Sequence, residues 1–112
     1  MKEFDIKSHG ETRQEAKEML EEIISDYNKQ EKVIKIIHGY GSTGVGGVIK
    51  QMVRKSLQSK LNQNQIKAFI PGEAIKGFMG YSEIIDKYKN LIINDSDYHK
   101  SNDGITYVIF NG

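Results

Sequence analysis

The stretch VIKIIHGYGSTGVGG, Val33 to Gly47, runs from a short apolar segment into a histidine and then into a segment rich in glycine. Val33 to Ile37 consists mostly of branched apolar side chains, which is typical of a strand in the interior of a sheet. The glycines that follow allow backbone amides to approach a ligand closely. A helix that begins after them would add its positive amino terminus. The stretch therefore predicts a buried strand that ends at His38 and opens into an anion-binding loop.

The residues before this stretch predict a strand followed by a helix. Apolar and charged side chains alternate from Phe4 to Lys7, which is typical of a strand with one covered face. Thr12 and, three residues later, Glu15 have the spacing of a capping box. Apolar residues then recur every three or four positions, at Ala16, Met19, Leu20, Ile23, Ile24 and Tyr27. This spacing predicts an amphipathic helix of about four turns.

The residues after the glycine loop predict a second helix and two more strands. Apolar residues recur at helical spacing from Val45 to Leu57. Ile66 to Ile70 alternates and ends at Pro71, which predicts a third strand. The segment GITYVIF, Gly104 to Phe110, predicts the last strand.

Residues 73–103 form an irregular insertion before that last strand. Ile84 and Tyr88 indicate a short helix there, and Leu91 to Ile93 indicates an extended piece. The order β-α-β-α-β-β implies right-handed crossovers and a mostly parallel, four-stranded sheet covered by helices. A chain of 112 residues has the size of one domain. We therefore expect a single α/β domain over residues 1–112.

The composition excludes several classes of protein. The chain contains no cysteine, so disulfides and thiolate zinc sites are excluded. Its amino terminus lacks the apolar region of a signal peptide, and no apolar run approaches the length of a membrane span. We therefore expect a cytoplasmic protein with no membrane partner. The sequence gives no indication of the oligomeric state.

Charge is distributed unevenly along the chain. Lys32 to Gly72 contains seven basic residues and no Asp or Glu, although the net charge of the whole chain is only +1. Lys50, Arg54 and Lys55 lie within the predicted second helix. The pattern predicts a basic surface beside the glycine loop, for which a phosphate is the natural partner.

Two predicted strands end in the same dipeptide, His-Gly. The first strand ends at His9-Gly10 and the second at His38-Gly39. If the two strands are parallel, both histidines lie at the carboxyl edge of the sheet, where open α/β sheets bind their ligands. Lys7 shares a strand face with His9 by the two-residue period and adds a positive charge.

The glycine loop and the polar segment of residues 95–103 each allow another interpretation. A Walker A loop is excluded, because Gly47 and Val48 stand where Lys and Ser or Thr are required. A dinucleotide-binding module remains an alternative, since Gly39-x-Gly41-x-x-Gly44 satisfies the glycine pattern and Glu73 could bind a ribose.

The segment DSDYHKSND, residues 95–103, contains Asp95, Asp97, His99 and Asp103. Turn chemistry explains that segment better than a metal site.

The two His-Gly turns together resemble the signatures of the Smr (small MutS-related) domain, a D-L-H-G after the first strand and an H-G-x-G after the second. The resemblance implies a two-layer α/β sandwich like the carboxyl-terminal domain of translation initiation factor three. It implies DNA or RNA binding, endonuclease activity in several members, and a place within longer MutS-type or repair proteins. Two roles stay open here: an endonuclease, by hydrolysis or transesterification, and a non-catalytic module that binds nucleic acid or a ribosomal or repair partner.

The signatures map onto this chain residue by residue. His9 and Gly10 match the first signature, and His38, Gly39 and Gly41 match the second, whereas Lys7 stands where the family has an aspartate. His9 and His38 are the candidate catalytic residues, because two histidines can serve as general base and general acid on RNA without a metal. Nicking DNA would require water activated by Mg²⁺ or Mn²⁺. No metal ligands are predicted.

The predicted nucleic-acid-binding residues surround these histidines. Tyr40, in the glycine loop, is expected to be exposed and able to stack on a base. The full set is Lys7, Gly10, Gly39, Tyr40, Gly41, Ser42, Thr43, Gly44, Lys50, Arg54 and Lys55.

Overall fold

The protein is a mixed α/β domain with four strands and three α-helices, described by a computed structural model over residues 1–7, 12–39, 44–77 and 79–111, with residues 44–46 described in backbone only. The elements are β1 (Lys2–Asp5), α1 (Arg13–Tyr27), β2 (Val33–Ile37), α2 (Gly44–Asn62), β3 (Ala68–Pro71), a 3-10 helix (Gly72–Lys76), α3 (Ser82–Ile92), a second 3-10 helix (Tyr98–Lys100) and β4 (Ile105–Ile109). The predicted α/β class and element order are confirmed. None of the described helices is long and apolar enough to span a membrane.

Helix α1 forms where the capping box predicts it. The Thr12 hydroxyl accepts a hydrogen bond from the Glu15 backbone N–H at 3.1 Å and donates one to the Glu15 carboxylate at 3.0 Å. These bonds satisfy a donor that the first helical turn would otherwise leave unpaired. Ala16, Leu20 and Ile24 recur every fourth residue and are buried against the sheet. Local sequence thus decides both the start of α1 and the face that it buries.

The sheet has the strand order β1-β2-β4-β3, and its pairing differs from the prediction. Strands β1 and β2 are parallel, with Asp5 opposite Ile37. Strand β4 lies between β2 and β3 and is antiparallel to both. Three of the four strands therefore share a direction, but only one neighbouring pair is parallel. Strand β4 runs antiparallel to β3 because the insertion begins where β3 ends and returns the chain to that same end of the sheet, where β4 begins.

Both faces of the sheet are covered, so the domain has three layers where the sequence predicts two. Helices α1 and α2 cover one face, and α3 covers the other. On the second face Ile85, Tyr88 and Ile92 of α3 belong to one buried cluster with Tyr107 and Ile109 of β4. The insertion supplies this third layer. The extended piece predicted at Leu91 to Ile93 is wrong, because α3 continues to Ile92 and Ile93 caps it.

A buried lysine anchors the end of the insertion. Lys35 of β2 faces the α3 side of the sheet, and its side chain is 3% exposed. Its ammonium donates to Asp95 at 3.0 Å and to Asp97 at 2.7 Å, and the Tyr107 hydroxyl donates to Asp95 at 2.7 Å. Burial disfavours the charged ammonium, but the bonds to Asp97 and Asp95 outweigh it and raise the pKa of Lys35. We call Lys35, Asp95, Asp97 and Tyr107 the lysine cluster.

Candidate functional site

Strands β1 and β2 end side by side, which brings Lys7 against Gly39. The Ile6 N–H donates to the Ile37 carbonyl at 3.0 Å, and Lys7 follows directly. Gly39 has φ +86°, and a Cβ placed on it would lie 3.2 Å from Lys7 Cδ. This conformation and this close contact favour glycine. Lys7 is exposed, so a positive charge lies where the glycine loop begins.

The other residues predicted for the two turns cannot be placed. His9, Gly10, Tyr40, Gly41, Ser42 and Thr43 lie outside the described residues. Of the predicted loop, Gly39 and the first residue of α2, Gly44, are described.

His38 is fully buried, and both of its ring nitrogens have hydrogen-bond partners. Nδ1 lies 3.0 Å from the Gly39 carbonyl oxygen, which can only accept, so Nδ1 carries the proton. Nε2 then accepts from the Thr106 hydroxyl at 2.9 Å. The backbone N–H groups of His38 and Gly39 both donate to the Gly104 carbonyl, at 2.9 and 3.1 Å. The ring and backbone of His38 thus tie the loop entrance to β4.

The pKa of His38 is lowered to about 4. Burial is the main cause, because it disfavours the charged ring; the Gly39 carbonyl opposes this, and the positive charges of Arg54 and Lys50 add to the lowering. At neutral pH the ring is therefore uncharged: its single proton, on Nδ1, is donated to the Gly39 carbonyl, and Nε2 is occupied by the Thr106 hydroxyl. This environment is that of a positioning residue.

We expect His38 to make folding sensitive to pH between about 6.5 and 4. In that range an unfolded histidine takes up a proton and the folded one does not, so the free energy of unfolding falls as the pH falls. The full loss should be about 3 kcal/mol, at about 1.4 kcal/mol per pH unit. Urea unfolding at several pH values measures it. A His38→Gln variant should lose most of this slope between pH 6.5 and 5, above the range in which carboxylates titrate; an unchanged slope would contradict the assignment.

Lys50 and Arg54 of α2 lie beside this site, but carboxylates neutralise them. Arg54 donates to Glu73 at 2.7 Å, and Lys50 lies 3.2 Å from Glu73 and 3.8 Å from Asp103. Burial alone would raise the pKa of Glu73, but the hydrogen bond and charge of Arg54, with that of Lys50, lower it. Lys50 and Arg54 are therefore not free phosphate ligands in this conformation.

The basic surface predicted from Lys32 to Gly72 is thus smaller than its seven cations imply. Lys60 pairs with Glu21 at 2.6 Å, and Lys35 belongs to the lysine cluster on the other face of the sheet. Lys55 is exposed and has no ion pair within the described ranges. The linear pattern fails here because every compensating carboxylate comes from outside the segment.

A family model for the Smr domain matches residues 6–85, which include both His-Gly turns and the elements α1, β2, α2 and β3. The chain belongs to the Smr domain family. This family is associated with nucleic-acid binding and nuclease activity. No curated protein and no solved structure matched the chain. The likeness to the carboxyl-terminal domain of translation initiation factor three therefore stays a prediction.

In this Smr domain three carboxylates of the described residues, Glu73, Asp95 and Asp97, already have ion-pair partners. Glu73 binds Arg54 and Lys50, so a role in binding a ribose would require both ion pairs to break. Asp95 and Asp97 bind Lys35, and Asp97 also accepts from Asn102 in the turn before β4. The described part of the chain contains no group of three or more side chains suited to a metal ion. A role for Mg²⁺ or Mn²⁺ remains an expectation from the sequence.

Sequence reasoning missed the partners that hold His38. Thr106 is a polar residue in the apolar strand GITYVIF, and a buried hydroxyl there is a signal that a polar partner faces it. Gly104 contributes only its backbone carbonyl, for which residue type gives no signal. Lys35 is a charged residue within a run of branched apolar residues. Because buried polar groups have hydrogen-bond partners, its burial and its pairing could have been predicted as well.

Proposed function

We propose that this Smr domain binds nucleic acid at the sheet edge where β1 and β2 end, without proton transfer by His38. The observation that carries the proposal is the position of Lys7, an exposed cation that lies against Gly39 where the glycine loop begins. A lysine ammonium is a compact charge well suited to a phosphate. In the Smr signature an aspartate occupies this place, and a negative charge there would repel a phosphate.

The start of α2 favours an anion at the same edge. Helix α2 begins at Gly44, directly after the glycine loop, and has no acidic residue in its first turn. The positive end of its dipole is therefore not offset by a carboxylate of that turn. Lys7 beside Gly39 and the start of α2 at Gly44 are thus the two sources of positive charge in this proposal.

His38 has a structural part in this proposal. Its ring binds the Gly39 carbonyl and the Thr106 hydroxyl, and its backbone binds Gly104. These bonds fix the left-handed conformation of Gly39 and with it the direction in which the chain enters the loop. A neutral, fully bonded ring can do this at any pH well above 4.

Replacing Lys7 with alanine should weaken binding to labelled single-stranded RNA and DNA. We expect Kd to rise about tenfold, which corresponds to the loss of one charge-assisted contact of about 1.4 kcal/mol. The slope of log Kd against log salt should fall by about 0.7, the value for one phosphate contact on a single strand. Fluorescence anisotropy over a salt series measures both.

The matched control for this variant is Lys89→Ala, which removes an exposed lysine from α3 on the opposite face of the sheet. It should leave Kd and the salt slope unchanged. Equal effects of the two variants would mean that only overall charge matters and would overturn the assignment of Lys7. Absence of binding by the wild-type domain would overturn the proposed function itself.

A cleavage assay separates binding from the endonuclease alternative. Single-stranded RNA and supercoiled plasmid are incubated with the domain in EDTA or in Mn²⁺. Binding without product supports the proposal. RNA product that disappears in His38→Gln while affinity is retained would assign His38 to the chemistry and contradict its positioning role.

A further inference from the structure

A pocket of about 510 Å³ lies between α2 and the segment that leads from β3 to α3. It adjoins the site described above, because Arg54 lines it and the positive charge of Arg54 also acts on His38. The residues that line it are Gln51, Arg54, Lys55, Gln58, Phe69, Pro71, Met79 and Tyr81.

One side of this pocket is apolar and aromatic. The rings of Phe69 and Tyr81 meet edge to face, with centroids 6.2 Å apart. Tyr81 is partly exposed, and Met79 beside it is 43% exposed. An exposed methionine next to a tyrosine ring offers apolar surface to a flat partner. This side of the pocket suits a planar ring.

The other side of the pocket is polar, and no carboxylate is among the lining residues. Lys55 is exposed and has no ion pair within the described ranges. Gln51 and Gln58 present amide groups, which both donate and accept hydrogen bonds. Arg54 Nε is buried and has no hydrogen-bond partner among the described residues. The matching partner combines a planar ring, polar ring edges and a negative charge.

We propose that this pocket receives an unstacked base of single-stranded nucleic acid, with an adjacent phosphate on Lys55. The inference rests on the proposed function and names its substrate class. A base in a duplex is stacked and paired and cannot enter, whereas a base in a single strand can stack on an aromatic side chain. The Tyr81 ring provides the stacking surface, and the glutamine amides face the edges of the base.

The test uses a 12-nucleotide oligothymidine with one 2-aminopurine, whose fluorescence falls when it stacks on an aromatic ring, and a duplex of the same length. The wild-type domain should quench the probe and prefer the single strand. Tyr81→Leu keeps an apolar side chain but removes the ring, so it should reduce quenching and raise Kd for the single strand about tenfold, with Kd for the duplex unchanged. Thermal melting confirms that the variant is folded.

Lys55→Ala should also raise Kd for the single strand, whereas the matched Lys89→Ala should not. Retained quenching and affinity in Tyr81→Leu, with Lys7→Ala still impaired, would overturn this inference and leave the proposed function intact. No binding of either probe by the wild type would overturn both. Displacement of the probe from the pocket by an acidic, tyrosine-containing peptide at equal concentration would reassign the pocket to a protein partner and also overturn it.

Discussion

Replacing Lys35 with methionine should lower the free energy of unfolding by about 3 kcal/mol. The substitution leaves the Asp95 and Asp97 carboxylates, which are only 13% and 16% exposed, without their cation. The remaining exposure of the two carboxylates puts the expected loss at the lower end of the range for breaking a buried ion pair. Urea unfolding at pH 7 measures it.

Two further variants isolate the charge effect. Lys32→Met removes an exposed lysine just before β2 and should change stability by less than about 0.5 kcal/mol. The triple variant Lys35→Met, Asp95→Asn, Asp97→Asn removes the unpaired charges and should recover much of the loss. If the triple variant is no more stable than Lys35→Met alone, lost packing and not unpaired charge explains the effect.

The lysine cluster also connects to the proposed nucleic-acid site. Asn102 donates to Asp97 at 3.0 Å and accepts from the Gly104 N–H at 2.8 Å. The Gly104 carbonyl in turn binds the backbone of His38 and Gly39. One chain of hydrogen bonds thus runs from the α3 side of the sheet to the loop entrance.

Replacing Gly72 with alanine should cost about 3 kcal/mol or more, or prevent folding. A Cβ on Gly72 would lie 1.9 Å from the Asn102 carbonyl oxygen and 2.9 Å from Ile105 Cδ1. The first of these is a backbone atom, so no side-chain rotation relieves the clash. Gly72 directly precedes the insertion and Asn102 is near its end, so the substitution would push the two ends apart. Urea unfolding, or the soluble yield of the variant, measures the effect.

Gly77→Ala is the matched control for this substitution. Gly77 has φ +85°, and a Cβ there would meet no atom of the described residues within 4 Å, so we expect alanine to cost the strain of the left-handed conformation, about 1–2 kcal/mol. A Gly72→Ala variant as stable as Gly77→Ala would show that residues 72 and 102 are not in this close contact.

The sequence predicts the local elements well and the insertion poorly. Helix α1, strand β2 and the glycine-led α2 follow from capping, apolar spacing and loop composition, all of which act within a few residues. In the insertion, Ile85, Tyr88 and Ile92 recur at helical spacing, so the sequence does carry a signal for a helix through Ile92, which the prediction of an extended piece from Leu91 to Ile93 overlooked. These three residues are the ones that α3 buries in the second core.

The sequence also predicts only part of the candidate site. The contact between Lys7 and Gly39 follows from the parallel pairing of β1 and β2, whereas the sequence predicts only that the two strand ends converge and that Lys7 adds a positive charge nearby. The neutral state of His38 does not follow from the sequence, because it depends on burial and on Thr106, which lies 68 residues away along the chain. The ion pairs of Glu73 with Lys50 and Arg54 likewise cannot be predicted from the sequence pattern.

The sequence by itself determined the α/β class, the order of the elements, the Smr family and the place of the second signature directly after β2, because these depend on short-range periodicity and on motif spacing. The tertiary structure decided that β4 lies antiparallel between β2 and β3 and that a third layer covers the sheet. It also decided that His38 is buried and that four of the seven cations between Lys32 and Gly72 form ion pairs. Those properties depend on which distant residues meet, and burial and ion pairing act through space over a few ångströms regardless of separation along the chain.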